Sequence, residues 1–199
     1  MVPRGGVAVM KTVFLIGYMG CGKTTLGEVL ARQMGVPFID LDEYIEHQQG
    51  MTIVEIFAHD GEDRFRELEK AALRQVATIG GAIIACGGGT PCHAGNMELM
   101  NQAGITVWLT TSPERITARL LMPDQKAKRP KYKDLPEEAV LPLVKQELEA
   151  RSPYYSQACL HFDSTDIETA AATARTARGL AILLQPHLEA KNKGTRTRN

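Results

Sequence analysis

Short apolar runs and amphipathic segments alternate along most of the chain. Buried strands are predicted at 12–16, 37–40, 82–86, 105–109 and 160–162, the last being the weakest candidate. Helical periodicity is present at 23–34, 43–49, 52–59, 62–78 and 167–184. Because helical segments separate the strands, this order predicts an α/β fold whose parallel sheet is covered by helices on both faces.

Residues 122–138 interrupt this alternation. The segment contains three prolines, many charged residues and few large apolar ones. A loop of this length inside a compact domain usually has a function of its own. We therefore predict a mobile lid at about 122–138. The alternative is an insert that only keeps the surface soluble.

The bulk composition is that of an ordinary globular protein. The chain has 199 residues, which predicts a single domain over 1–199, and it carries 23 basic and 23 acidic residues. This balance gives no general attraction to nucleic acid or to anionic membranes. No run reaches transmembrane length, the start lacks the apolar core of a signal peptide, and the four cysteines show no CxxC spacing. We expect a monomer in the reducing cytoplasm.

A glycine-rich stretch at residues 17–25, GYMGCGKTT, follows the first strand and opens the first predicted helix. It matches G-x-x-x-x-G-K-[ST], in which backbone N–H groups wrap a phosphate at the positive end of a helix. Lys23 would reach the β- and γ-phosphates of a nucleoside triphosphate, and the Thr24 hydroxyl would ligate Mg²⁺. The residues predicted to bind ATP here are Gly20, Cys21, Gly22, Lys23, Thr24 and Thr25.

Two aspartates stand at the end of the second predicted strand. Within a strand, Asp40 and Asp42 would point to the same side, about 7 Å apart. Beside a phosphate site, Asp40 would help Thr24 to hold the metal ion, and Asp42 would face an acceptor hydroxyl. The alternative is a solvated strand end without a function.

The NKxD motif by which regulatory GTPases recognise guanine is missing from the sequence, which argues against that class of protein.

Candidate acceptor-binding residues follow in the next helical segments. Arg66 and Glu69 are spaced i, i+3 and share a helical face, although on spacing alone such a pair is commonly a weak surface ion pair. Phe57 and Phe65 flank the same region and could wall an apolar pocket.

Three successive glycines, Gly87, Gly88 and Gly89, follow the strand at 82–86. They would present backbone without side chains at the carboxyl edge of the sheet, the alternative being a simple tight turn.

Arg151 is predicted to end a helix just before Pro153, where the helix dipole favours a cation. Two arginines beside a glycine-rich wall would suit a small acceptor that carries a carboxylate.

Six motifs occur in one order between residues 17 and 158: GxMGxGKT, D-x-D, GE..FR..E, GGG.P, an Arg-Pro pair and R.P.Y..A. This set resembles the shikimate kinase family. The resemblance implies a three-layer P-loop kinase fold with a five-stranded parallel sheet flanked by helices, plus a mobile lid. It also implies Mg²⁺-dependent transfer of the ATP γ-phosphate to the 3-hydroxyl of shikimate, in chorismate and aromatic amino-acid biosynthesis.

The resemblance also assigns roles to individual residues. Asp42 would hold the shikimate hydroxyls and act as base or orienter, while Arg66 and Arg151 would bind the carboxylate. Glu69 and the backbone of the three glycines would complete the pocket, whose acceptor-binding segment is about 41–70. Arg119 would lie near the adenine.

The lid departs from the family pattern. Arg129 would reach the phosphates from the lid, but the usual Arg-Pro-Leu-Leu is replaced by Arg129-Pro130-Lys131-Tyr132. Lys128 or Lys131 could therefore share the role of Arg129.

Two other functions stay open on the sequence alone. The first is another small-molecule P-loop kinase, such as a gluconate-type or nucleotide kinase, which would not require a carboxylated ring as acceptor. The second is a nucleotide-binding regulator without turnover, against which the complete set of Lys23, Thr24, Asp40 and Asp42 argues.

Overall fold

The computed structural model describes residues 10–93, 95–123, 132 and 135–188. Five strands pair in parallel in the order β2-β3-β1-β4-β5. The strands are β1 (Thr12–Ile16), β2 (Phe38–Asp40), β3 (Ile83–Ala85), β4 (Gly104–Thr110) and β5 (Leu160–Asp163). The five predicted strands and the parallel sheet are therefore confirmed, including the weak candidate near the carboxyl terminus.

Helices connect the strands and cover the sheet. They are α1 (Lys23–Met34), α2 (Leu41–Gln49), α3 (Ile53–Ala77), α4 (Asn96–Ala103), α5 (Pro113–Leu120), α6 (Glu137–Tyr155) and α7 (Ala170–Leu188). A short 3-10 helix spans Thr90–Cys92. None of the described helices is long and apolar enough to cross a membrane.

The two faces of the sheet bury separate apolar clusters. In β1, Val13 and Leu15 face one cluster, whereas Phe14 and Ile16 face the other, as the alternation of side chains in a strand requires. Helices α1 and α7 cover the first cluster, and α2 to α6 supply the second. This arrangement gives the three layers expected of a parallel sheet buried on both faces.

Helix α3 joins the predicted helical segments 52–59 and 62–78 into one element. Gly61 has φ 79° and ψ 175°, so the helix is broken at this residue although helical structure continues on both sides. Glycine reaches such a positive φ without the Cβ clash that other residues suffer. The break turns the second half of α3, which carries Arg66 and Glu69, at a different angle from the first.

Helix α6 corrects the prediction that a helix ends at Arg151. The helix continues through Pro153 to Tyr155. A proline removes one backbone hydrogen bond, but Tyr155 is fully buried and its hydroxyl donates to the Gly88 carbonyl oxygen at 2.7 Å. Arg151 therefore projects from the body of a packed helix.

A prediction about stability follows from Gly104 at the start of β4. A Cβ at this position would lie 2.1 Å from the Thr12 carbonyl oxygen, within the backbone of the adjacent strand. Because that atom cannot move without separating β1 from β4, Gly104→Ala should lower the free energy of unfolding by about 1–3 kcal/mol or more. Urea unfolding measures this change.

Gly179→Ala provides the matched control. A Cβ there meets Phe162 at 3.7 Å, which is an ordinary contact, inside helix α7. Alanine should be neutral or stabilising by up to about 1 kcal/mol through helix propensity. Equal unfolding free energies for the two variants would contradict the strain argument.

Candidate active site

The phosphate loop occupies the turn between β1 and α1. Gly17, Gly20 and Gly22 have φ angles of 136°, 77° and 97°, which glycine adopts without strain. The Lys23 ammonium donates to the carbonyl oxygens of Gly17 at 2.8 Å and Tyr18 at 3.0 Å. The loop therefore presents a cation above a helix amino terminus, which is the arrangement that binds phosphate.

The Asp40 carboxylate links the second strand to the phosphate loop. Its Oδ2 accepts from the Thr24 hydroxyl at 2.8 Å, and its Oδ1 accepts from the Asp42 N–H at 3.0 Å. The second bond caps the amino terminus of α2, which begins directly after Asp40. The neighbouring carboxylate and hydroxyl oxygens of Asp40 and Thr24 are hard ligands of the kind that Mg²⁺ prefers.

The position of Asp42 corrects the strand interpretation of this pair. Asp42 lies in the first turn of α2 and not in β2, so the two-residue alternation that placed both carboxylates on one face of a strand is wrong. The cap formed by Asp40 turns the chain into a helix at Leu41. Asp42 is nevertheless directed to the same edge, since a Cβ on Gly87 would lie 2.8 Å from its Oδ1.

The Asp42 carboxyl has a pKa raised to about 6. Burial is the largest cause, followed by the negative charges of Asp40 and Glu69, while Lys23 opposes the shift. A carboxylate whose pKa approaches neutrality is a stronger base than an ordinary aspartate. The environment of Asp42 therefore suits the removal of a proton from an acceptor.

Glu69 makes a buried ion pair with Arg66. The Glu69 side chain is 1% exposed, and its Oε2 lies 2.9 Å from Nη1 of Arg66. Its other oxygen accepts from the Thr90 hydroxyl at 2.5 Å. The surface ion pair considered from spacing alone is therefore wrong for this pair, although Arg66 also reaches the exposed Glu62 at 3.0 Å.

The three glycines bring both arginines against one stretch of backbone. A Cβ on Gly88 would lie 3.6 Å from Nη1 of Arg151, and a Cβ on Gly89 would lie 3.1 Å from Nη2 of Arg66. The Cβ on Gly88 would also approach the Met19 N atom of the phosphate loop to 3.3 Å. This stretch therefore forms the wall shared by the arginines, Asp42 and the phosphate loop.

The two predicted aromatic residues lie together beside this wall. The ring centroids of Phe57 and Phe65 are 4.7 Å apart, and the Arg66 guanidinium lies 5.0 Å from the Phe65 ring centroid. Phe65 is buried, whereas Phe57 is exposed. The pair therefore places an apolar surface beside the Arg66 guanidinium.

Arg119 is nearly buried and braces the phosphate loop. Its Nη1 donates to the Gly20 carbonyl oxygen at 2.9 Å, and its Nη2 donates to the Thr165 carbonyl oxygen at 3.0 Å and to Glu168 at 2.8 Å. Several of its donors are thus engaged by the protein. Its place beside Gly20 brings it near the nucleotide-binding loop, and a contact with adenine stays a prediction.

Other predicted site residues differ in exposure. Cys21 is buried, as a small filler of the loop would be, whereas Thr25 is exposed on the first turn of α1. Arg129 and the neighbouring Lys128 and Lys131 lie outside the described residues.

Four residues hold groups around the glycine wall although they are not among the predicted site residues. Thr90 holds Glu69, Tyr155 holds the Gly88 carbonyl, Tyr18 lies under Arg151, and Glu147 pairs with Arg151 at 3.4 Å. Thr90 directly follows the glycines and Tyr18 lies within the phosphate loop, so motif position could have identified both. Tyr155 is the tyrosine of the motif that begins at Arg151, whereas Glu147 carried no such local signal.

The described residues contain no cluster of three or more His, Cys, Asp or Glu side chains that could hold a metal ion by itself. A Mg²⁺ ion bound by Thr24 and Asp40 would therefore complete its shell with water and nucleotide phosphates. Mg²⁺ commonly binds in this way in kinases, through one or two protein ligands.

The matching family model and the similar curated proteins carry the same description. The model of a family described as shikimate kinase matches residues 19–180. A curated shikimate kinase of Bacteroides fragilis is 41% identical over 179 residues, which are 90% of this chain and 99% of that protein.

Solved structures agree with these matches. The crystal structure of shikimate kinase from Bacteroides thetaiotaomicron has a TM-score of 0.84 and 41% identity, covering 88% of this chain and 99% of that one. The shikimate kinase from Acinetobacter baumannii, solved in complex with shikimate, has a TM-score of 0.76 and 31% identity over 94% of this chain and 100% of its own. A gluconokinase from Sinorhizobium meliloti, at 19% identity and a TM-score of 0.53, shares the fold alone.

Proposed function

Because this chain belongs to the shikimate kinase family, we propose that its cleft binds ATP and shikimate side by side and catalyses the reaction of that family. The protein is an ATP-dependent phosphotransferase that converts shikimate into shikimate 3-phosphate and releases ADP. The observation that carries the residue assignments is the meeting of Asp42, Arg66 and Arg151 along the Gly87–Gly89 backbone, next to the phosphate loop.

On the nucleotide side, we assign the phosphates to the loop backbone and to Lys23. The Lys23 ammonium would exchange its bonds to loop carbonyls for bonds to the β- and γ-phosphates, where it offsets the charge that develops during transfer. Thr24 and Asp40 would hold Mg²⁺, which neutralises phosphate charge when bound. The residues assigned to ATP are Gly20, Cys21, Gly22, Lys23, Thr24, Thr25, Arg119 and Arg129.

On the acceptor side, we assign the shikimate carboxylate to Arg66 and Arg151. Arg151 pairs with Glu147, and Arg66 pairs with the buried Glu69 and with the exposed Glu62. Each guanidinium lies against the glycine wall. Such anchoring fixes the planar fork before the acceptor arrives, which reduces the entropy lost on binding. Phe57 and Phe65 would contact the ring, within the acceptor-binding segment of about 41–70.

Asp42 would act as the base in the transfer step. As the 3-hydroxyl oxygen attacks the γ-phosphorus, its proton passes to a carboxylate oxygen of Asp42, and the bond from phosphorus to the β-phosphate oxygen breaks to release ADP. The raised pKa of Asp42 and its position beside Gly87 support this role.

Three further assignments complete the proposal. Residues 122–138 would cover the site and bring Arg129 to the phosphates. The enzyme would act as a monomer in the cytoplasm on small molecules, without nucleic acid or membranes as partners, in line with its balanced charge. The chain would form one domain over 1–199.

An acceptor panel tests the function. ADP release, measured with a coupled assay, should depend on shikimate and stay near background with gluconate or nucleoside monophosphates, because only a carboxylated ring of the right size engages both arginines and Asp42. Turnover of gluconate or a nucleotide at a rate equal to that of shikimate would favour another P-loop kinase. ADP release that no acceptor stimulates would favour a regulator without turnover.

Asp42→Asn tests the base. The amide keeps the size of the side chain but cannot take a proton, so kcat should fall by about 10²–10⁴ while ATP binding is retained. Steady-state kinetics and nucleotide titration measure the two effects. Asp63→Asn, which changes an exposed carboxylate on α3, is the matched control and should behave as the wild type. Near-normal kcat in Asp42→Asn would remove Asp42 from the mechanism.

Arg66→Lys tests the carboxylate clamp with the charge retained. An ammonium cannot donate two parallel hydrogen bonds, so the KM for shikimate should rise by about ten- to a hundredfold, with a smaller change in the KM for ATP. Arg64→Lys, an exposed arginine two residues away that pairs with Glu67, is the control. If shikimate titration gives equal affinities for both variants, Arg66 does not bind the carboxylate.

A further inference from the structure

Tyr18 of the phosphate loop lies at the centre of a buried set of contacts. Its hydroxyl is 2.6 Å from the Tyr132 hydroxyl and 2.5 Å from Oε2 of Glu147. Its ring centroid is 5.2 Å from the Arg151 guanidinium carbon, and its carbonyl oxygen accepts from Lys23. One side chain therefore touches a residue of the 122–138 segment, helix α6 and the arginine assigned to the acceptor.

The direction of the hydrogen bonds follows from the donors available. An ionised Glu147 can only accept, so the single proton of the Tyr18 hydroxyl is donated to Glu147. The Tyr132 hydroxyl must then donate to the Tyr18 oxygen. The chain of bonds runs from Tyr132 through Tyr18 to Glu147, and each bond in such a chain strengthens the next by polarisation.

Burial makes these contacts sensitive to change. Tyr18 is 1% exposed and Tyr132 is fully buried, and the Glu147 side chain is 14% exposed. A buried hydroxyl or carboxylate that loses its partner is costly, so each member holds the next in one orientation. The burial of Tyr18 also raises its pKa, so its hydroxyl stays protonated and available as a donor.

Arg151 is held at the end of this chain. Its Nη2 pairs with the Glu147 oxygen that Tyr18 also contacts, at 3.4 Å, and its guanidinium lies over the Tyr18 ring. A cation over an aromatic face gains further attraction from the ring quadrupole. Tyr18 and Glu147 thus fix two sides of the guanidinium, and Nη1 points to the glycine wall.

We propose that Tyr132, Tyr18 and Glu147 are positioning residues that orient Arg151 for the acceptor carboxylate. This inference rests on the proposed function, since it assumes that Arg151 binds that carboxylate. Tyr132 belongs to the segment whose sequence departs from the family pattern directly after Arg129-Pro130. The phenol at this position therefore makes acceptor affinity depend on a residue of that segment.

Tyr132→Phe is the first test, because it removes one hydroxyl and keeps the buried ring. The KM for shikimate should rise about three- to tenfold, the factor that corresponds to one neutral hydrogen bond, while the KM for ATP changes by less than about twofold. Tyr154→Phe, which alters an exposed phenol on α6, is the matched control and should leave both values unchanged. A thermal unfolding scan of each variant measures any loss of stability separately.

A carboxylate-free acceptor separates positioning from a purely structural role. With a shikimate analogue that carries a hydroxymethyl group in place of the carboxylate, Tyr132→Phe and the wild type should have equal kcat/KM. Equal losses on both acceptors, or a lower melting temperature with unchanged shikimate kinetics, would overturn the proposal. Failure of the wild type to phosphorylate shikimate at all would instead refute the proposed function. The positioning role of Tyr132, Tyr18 and Glu147, which rests on that function, would then fail with it.

A double-mutant cycle tests the connection within the chain of hydrogen bonds. Tyr18→Phe removes both bonds of the central hydroxyl and keeps the ring and the backbone that hold Arg151 and Lys23. If Tyr132 acts through Tyr18, the double variant should have the same KM for shikimate as Tyr18→Phe alone. Independent, multiplying effects of the two substitutions would show that Tyr132 does not act through this route.

Discussion

The glycine run at residues 87–89 is the constraint on which the rest of the site depends. Helices α2, α3 and α6 each direct a charged side chain at this stretch of backbone, and added Cβ atoms would meet Asp42, Arg151 and Arg66 at 2.8, 3.6 and 3.1 Å. A Cβ at residue 87 or 89 would crowd Asp42 or Arg66, two of the groups assigned to the acceptor, and at residue 88 it would crowd the Met19 N atom of the phosphate loop at 3.3 Å. A sheet edge without side chains therefore allows three distant parts of the chain to meet around a small molecule.

Charge balance decides which of these groups are held rigidly and which stay reactive. Arg66 and Arg151 each have a carboxylate partner, Glu69 and Glu147, so both guanidinium groups are fixed by the protein. For Asp42, burial and then the like charges of Asp40 and Glu69 instead raise the pKa of the carboxyl. Protein carboxylates thus neutralise the charges of Arg66 and Arg151. The negative charge of Asp42, the proposed base, is instead unfavourable, and a proton taken from the substrate would remove it.

Local signals predicted the strands and the phosphate loop, but not the packing of side chains around the glycine run. Strand β1 and helix α1 have the predicted bounds because an apolar run, a phosphate loop and a glycine cap are all contiguous in sequence. Asp42 was placed on the wrong element because a helix cap, formed by Asp40, overrode the strand pattern at one residue. Glu69 and Glu147 show the same limit, since their burial depends on elements that are distant in sequence.

The contacts of Tyr18 connect the two halves of the site in a way that motif spacing does not reveal. Its carbonyl oxygen holds the Lys23 ammonium, while its ring and hydroxyl hold Arg151 and Glu147. Lys23 and Arg151, the cations assigned to the γ-phosphate and to the acceptor carboxylate, therefore both contact Tyr18 in this structure. Lys23 would leave the Tyr18 carbonyl oxygen when it binds phosphate, whereas the Tyr18 ring and Glu147 would keep Arg151 in place. Because phosphoryl transfer depends on alignment of the attacking hydroxyl with the phosphorus, the contacts that persist around Arg151 bear directly on that alignment.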